Sequence, residues 1–107
     1  MEYPSSLDLL IFFGTEPIHE EDFTTYEVHD ESGSVLSFSF DTSDDSVQTV
    51  VKRDGQIMSL TSNECLKRMW IDGDSLRAEC ECGGYRIKLE LTLRPCVHVK
   101  WSGLRMR

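Results

Sequence analysis

From Thr24 onward, apolar and polar residues alternate with a period of two, the mark of strands that bury one face and wet the other. Tyr26 and Val28 share a face, Glu31-Ser32-Gly33-Ser34 supplies a turn, and Leu36, Phe38 and Phe40 then alternate with Ser37 and Ser39. Asp41-Thr42-Ser43-Asp44-Asp45 is a loop by composition. Val47-Gln48-Thr49-Val50-Val51 and Gln56-Ile57-Met58-Ser59-Leu60 flank Lys52-Arg53-Asp54-Gly55, and Asp-Gly between two such runs signals a hairpin. Asp72-Gly73-Asp74 and Gly83-Gly84 mark two further tight turns. Between them Leu76, Ala78, Cys80 and Cys82 oppose Arg77, Glu79 and Glu81. Tyr85, Ile87, Leu89, Leu91 and Leu93 form the cleanest alternation, Pro95 ends it, and Val97, Val99 and Trp101 make a last strand.

Residues 4–14 read as a short helix, with Ser5 or Ser6 as the N-cap, Asp8 in the first turn and Gly14 as the stop, although Ile11-Phe12-Phe13 also fits a strand. Residues 15–23 form an acidic connector that contains Pro17. Residues 62–68 can hold a helical turn capped by Ser62 or Asn63. The expected fold is mainly β: an antiparallel meander of about seven strands, with a short N-terminal helix, in which sequence neighbours are spatial neighbours. A single sheet, a sandwich and an open barrel all fit that pattern. At 107 residues the chain has the size of one domain, here residues 1–107, and ten aromatic residues give it bulk for a core.

Charge sharpens the picture. No Lys or Arg precedes Lys52, whereas twelve acids do; from Lys52 onward eleven basic residues face seven acids, so the halves carry −12 and +4 within a net −8. A segment this one-sided either meets the basic half inside the fold or presents a negative field to solvent or a partner. It disfavours nucleic-acid binding, because phosphates would be repelled. The longest apolar run, residues 9–13, is far below the roughly 20 residues of a membrane helix. Met1-Glu2 begins the chain with no basic n-region, so the expected location is the cytoplasm, with all four cysteines reduced.

Signs of catalysis are sparse. Cys80 and Cys82, with Cys96 and His98, offer three thiolates and an imidazole on strand-borne pairs, a set that would suit tetrahedral zinc. Structural zinc usually takes C-x-x-C knuckles instead, and Cys80 and Cys82 continue the apolar face of Leu76 and Ala78, where a cysteine is simply a small hydrophobe. No cofactor is therefore expected. His19, His29 and His98 stand in no motif with a nucleophile. The aspartates of residues 41–45 lack the spacing of a calcium loop, and the common nucleotide-binding, hydrolase and zincin motifs are absent. The chain is not expected to be an enzyme.

What remains is the acidic stretch as a binding surface. Glu20, Glu21 and Asp22 precede the first sheet strand, Asp30 and Glu31 sit in the first hairpin turn, and Asp41, Asp44 and Asp45 in the next loop. Alternate connections of a meander project from the same end, so two of these clusters can converge, with exposed aromatics as anchors. Phe12-Phe13-Gly14-Thr15-Glu16-Pro17-Ile18, the alternating strands through Leu36-Ser37-Phe38-Ser39-Phe40, and the closing strands at 85–93 and 97–101 together resemble immunity proteins of bacterial polymorphic and contact-dependent growth inhibition toxin systems. The resemblance implies a non-enzymatic cytoplasmic protein, monomer or homodimer, that binds a cognate toxin domain and blocks it. Many such toxins are nucleases with basic substrate surfaces, which an acidic inhibitor can occupy. Two other readings stand beside it: a phage-encoded inhibitor acting as an acidic nucleic-acid mimic, and a small zinc-stabilised binding module.

Overall fold

The computed structural model describes residues 2–105. Helix α1 (Ser6–Phe13) is followed by nine strands: β1 (Ile18–Glu20), β2 (Phe23–His29), β3 (Ser34–Asp41), β4 (Ser46–Arg53), β5 (Gln56–Asn63), β6 (Leu66–Asp72), β7 (Ser75–Cys82), β8 (Tyr85–Thr92) and β9 (His98–Arg105). They form two antiparallel sheets in strict meander order, β1-β2-β3-β4-β5 and β6-β7-β8-β9. The expected meander is present, as two sheets around one core and not as a closed barrel. Two of the strands lie where the alternation gave no signal. β1 falls inside the acidic connector, and β6 starts within the segment expected to hold a helical turn.

That helical turn at residues 62–68 is absent. Ser62 and Asn63, read as helix caps, instead pair with Gln48 and Val47 in the ladder. Only Glu64 and Cys65 separate β5 from β6, and Cys65 takes a left-handed conformation with φ 61°. Leu66 is buried and pairs with Cys80. Burial of Leu66 and continuation of two ladders outweigh a local capping preference of about 1 kcal/mol.

Helix α1 forms as its sequence dictates. The Ser5 hydroxyl accepts the Asp8 N–H at 3.1 Å, and Gly14, left-handed at φ 69°, donates its N–H to the Leu10 carbonyl. The helix buries Leu9 and Phe13 and leaves its other face in water. Phe13 stacks on Tyr26 with ring centroids 4.5 Å apart and on Phe38 at 5.4 Å, which locks the helix onto the five-stranded sheet.

The alternation decides which side chains meet. Tyr26, Leu36, Phe38, Phe40 and Val47 from one sheet join Leu66, Met69, Leu76, Ala78, Cys80, Leu89 and Leu91 from the other in a single buried cluster. Burying one large apolar side chain contributes about 1.5–3 kcal/mol, so this shared core is what holds the sheets together. Two bonds made by side chains cross between them. The Trp101 indole N–H donates to the Thr49 hydroxyl at 2.9 Å, and the Val97 N–H donates to the Asp30 carboxylate at 2.8 Å.

The expectation of four reduced cysteines is corrected. Cys65 and Cys82 are joined by a disulfide, with Cα atoms 5.6 Å apart. The pairing of Leu66 with Cys80 places the ends of β6 and β7 side by side, which brings these two residues together. Cys80 is free and buried, and Cys96 is free and exposed.

Candidate functional site

A meander sends alternate connections to opposite ends, and this places most of the acids. The β1–β2 turn, the β3–β4 loop, the β5–β6 link and the β7–β8 turn all lie at one end of the molecule. Phe23 pairs with Asp41, so the turn holding Glu21 and Asp22 lies beside the loop holding Asp44 and Asp45. Glu64 follows at the end of β5, whose Asn63 pairs with Val47. Glu20, Glu21, Asp22, Asp44, Asp45 and Glu64 are all exposed. Glu21 and Asp45 hold left-handed backbone at the tips of their loops, with φ 54° and 50°. The Asp45 carbonyl accepts the Leu66 N–H at 2.8 Å, which ties that loop to β6.

The eight acids singled out in the sequence divide by environment. Glu20, Glu21, Asp22, Asp44 and Asp45 converge at this end. Asp41 stands at the same end but is buried, and its carboxylate accepts the N–H groups of Ser43 at 2.8 Å and Asp44 at 3.2 Å, so it shapes the loop. Asp30 and Glu31 lie at the opposite end, in the β2–β3 turn. Asp30 is fully engaged there: it accepts the N–H of Val97 and the hydroxyl and N–H of Ser32, as well as the N–H of Ser34. These bonds, led by that from Val97, hold its carboxyl down at about 2. Glu64 was not singled out; the only signal for it was the path of the chain, which required the β5–β6 link to be seen as a strand connection.

Apolar side chains stand among these acids. Phe23 and Ile18 remain 37% and 52% exposed on the outer face of the five-stranded sheet. Glu20, Glu21, Phe23, Thr25, Ser39 and Gln48 line a shallow depression of about 590 Å³. An exposed aromatic ringed by charge has the anatomy of an interface anchor.

Among the described residues, no Lys or Arg forms an ion pair with the acids of this end. The Lys and Arg ion pairs among the described residues all lie within the four-stranded sheet and its turns. Glu79, nearly buried, is held by Arg68 at 3.1 Å and Arg86 at 3.0 Å, and Arg68 also lies over the Trp70 ring at 4.4 Å. Arg77 bridges Asp72 and Glu90. Arg53 donates to the hydroxyls of Ser32 and Ser34.

The cysteines and histidines lie in separate environments. Cys80 sits in the core, where burial pushes its thiol up to about 11, and Cys82 is bound to Cys65. Cys96 and His98 lie at the far end of β8, which spans eight residues, roughly 25 Å from Cys82. Cys80, Cys82, Cys96 and His98 thus form no ligand set, and no group of three metal-binding side chains occurs among the described residues. His29 contacts Glu27 and His19 contacts Thr24, all on the surface. A larger groove of about 660 Å³ runs between α1 and β6, walled by Tyr3, Ile11, Phe12, Trp70 and Ile71, with Asp8, Asp74 and Arg94 at its rim. Its lining holds no nucleophile beside a base. No helix is long and apolar enough to cross a membrane.

No family model matches the chain, and no match is found among curated protein sequences. Among solved structures, the fold matches a chain of the contact-dependent growth inhibition toxin–immunity protein complex from Klebsiella pneumoniae 342, with a TM-score of 0.85 and 24% identity over 96% of each chain. The resemblance drawn from the strand pattern is thus borne out in the fold: this chain is built like a protein of such a toxin–immunity complex.

Proposed function

We propose that the protein is a non-enzymatic, cytoplasmic immunity protein that binds a cognate toxin domain and neutralises it through its acidic end. The observation that carries this reading is the convergence of Glu20, Glu21, Asp22, Asp44 and Asp45 around the exposed Phe23, with no Lys or Arg paired to them among the described residues. Its fold relative is part of a toxin–immunity complex, which agrees with a toxin as partner. The toxin that fits best is a nuclease, because a nuclease must carry a basic surface to hold phosphates. Occupied by this acidic end, that surface is closed to substrate. Against such a partner the field speeds association by about 10–1000-fold and loses strength with salt.

The test is calorimetric titration against the toxin-like domain encoded immediately upstream of the gene, at two salt concentrations. Tight one-to-one binding that weakens with salt, and weakens again in a Glu20→Lys/Glu21→Lys/Asp22→Lys variant with a shallower salt dependence, is the expected result. Absence of binding sinks the immunity reading. Tight binding that the triple variant leaves untouched moves the interface elsewhere on the molecule.

A further inference from the structure

The segment before α1 begins as a strand and stops at once. Glu2 pairs in parallel with β6 at Arg68, its N–H donating to the Lys67 carbonyl at 3.4 Å and its carbonyl accepting the Met69 N–H at 2.8 Å. One more step of that ladder needs an N–H at position 4 to donate to the Met69 carbonyl. Position 4 is Pro4, which has none, and the chain turns into α1 instead.

The edge of β6 is therefore open beyond Glu2. Backbone groups along an antiparallel strand alternate between the paired neighbour and the outer edge, and the bond from Met69 to Glu2 fixes the phase. The Met69 carbonyl and the Ile71 N–H and carbonyl point away from β7, and no other strand pairs there among the described residues.

Met69, Trp70 and Ile71 also line the groove of about 660 Å³ between β6 and α1. Ile11, 68% exposed, and Phe12 wall it from the helix, and Tyr3 and Trp70 add aromatic surface. Glu2, Asp8 and Asp74 stand exposed on its rim with Arg94 as the one base. No Lys or Arg forms an ion pair with these three acids among the described residues.

These features define the occupant. Unpaired strand-edge groups suit an extended peptide backbone, apolar walls suit a large aliphatic or aromatic side chain, and an excess of acids suits Lys or Arg. A compact small molecule would fill the walls and leave the edge unpaired. We infer that the groove is a docking site separate from the acidic end, which takes an extended, basic and apolar segment of a partner protein as a new strand on β6. That strand continues the line that Pro4 cuts short. The β6–β7 turn, which closes the groove at Asp74, lies at the end of the molecule opposite the acidic cluster, so the inference stands independently of the toxin reading.

Selection of random phage-displayed peptides on the intact chain tests this. The selected sequences should alternate Lys or Arg with large apolar residues and lack Asp and Glu. In titration with a selected synthetic peptide, Ile11→Lys, at an exposed site, should weaken binding by at least about tenfold. Asp8→Asn/Asp74→Asn should weaken it and flatten its salt dependence. N-methylation of alternate peptide residues should abolish binding in one register and spare it in the other, as strand pairing requires. A library that yields no binder sensitive to Ile11→Lys overturns the inference. So does a peptide indifferent to N-methylation in both registers, and so does loss of peptide binding in the Glu20→Lys/Glu21→Lys/Asp22→Lys variant, which moves the site to the acidic end. Self-association of the protein that Ile11→Lys abolishes overturns it as well, by giving the groove to a second copy.

Discussion

The carboxylate of Asp30 accepts the backbone N–H of Val97 at 2.8 Å, linking the β2–β3 turn to the segment before β9 across 67 residues of sequence. Buried apolar contact holds the sheets face to face, but it is non-directional. A bond to a fixed backbone N–H sets how one end of the four-stranded sheet sits over the other. Thr49 and Trp101 make the second such link, deeper in the core. Both are made by residues whose sequence neighbourhoods give no hint of the partner.

Asp30 makes stability depend on acid. Its carboxyl lies at about 2 in the folded chain, below the 3.8 of an ordinary aspartate. The folded state therefore favours the ionised form, and that stabilisation is present in full above pH 4 and lost as pH falls toward 2. Urea midpoints measured between pH 6 and pH 2 should decline through this window. The Asp30→Asn variant should be less stable at neutral pH and show a flatter acid limb; an unchanged acid limb would remove Asp30 from the account.

Thr49 is almost wholly buried and accepts the Trp101 indole N–H at 2.9 Å. Thr49→Val keeps shape and removes the acceptor, which strands a donor inside the core. The expected cost is about 1–3 kcal/mol in the urea-extrapolated stability, with an unchanged denaturant slope. A neutral result would mean that water reaches the indole.

Thiol reactivity should follow the placement of the four cysteines. Without reductant, a native thiol count should find one fast group, Cys96, which is exposed. Denaturation should release Cys80, and only reduction should add Cys65 and Cys82. Three fast thiols in the native protein would show the pair to be open.

Phe23 is the exposed ring at the centre of the acidic end. Phe23→Ala should leave folding stability within about 0.5 kcal/mol, as surface substitutions do. In titration against the toxin domain it should weaken binding by at least about tenfold, chiefly through faster dissociation. Charge reversal of Glu20, Glu21 and Asp22 should instead act mainly on the association rate. If both variants alter only association, Phe23 is not an anchor.

Much of the architecture could be read locally, because local chemistry decides it. Ser5, Asp8 and Gly14 define the helix through caps that act within one turn. The alternations at 34–41 and 85–92 define strands because the side-chain period is two, and Asp54-Gly55 defines a hairpin because both residues accept positive φ. Strand order followed from short connections. The lopsided charge was visible as a count, and the two ends of a meander implied that two of the acidic clusters could converge. What the tertiary structure decided is everything that depends on which distant groups arrive side by side. Ser62 and Asn63 cap well in isolation, yet their backbone groups found partners on β4. Asp30 and Asp44 are the same residue type in similar turns, but a backbone N–H from Val97 reaches one while the other stays exposed. Cys82 looked like a neighbour of Cys80 and proved to be a neighbour of Cys65. Whether a charge or a thiol is free depends on long-range contacts that carry no local signature, and those exist only once the two sheets have closed on their core.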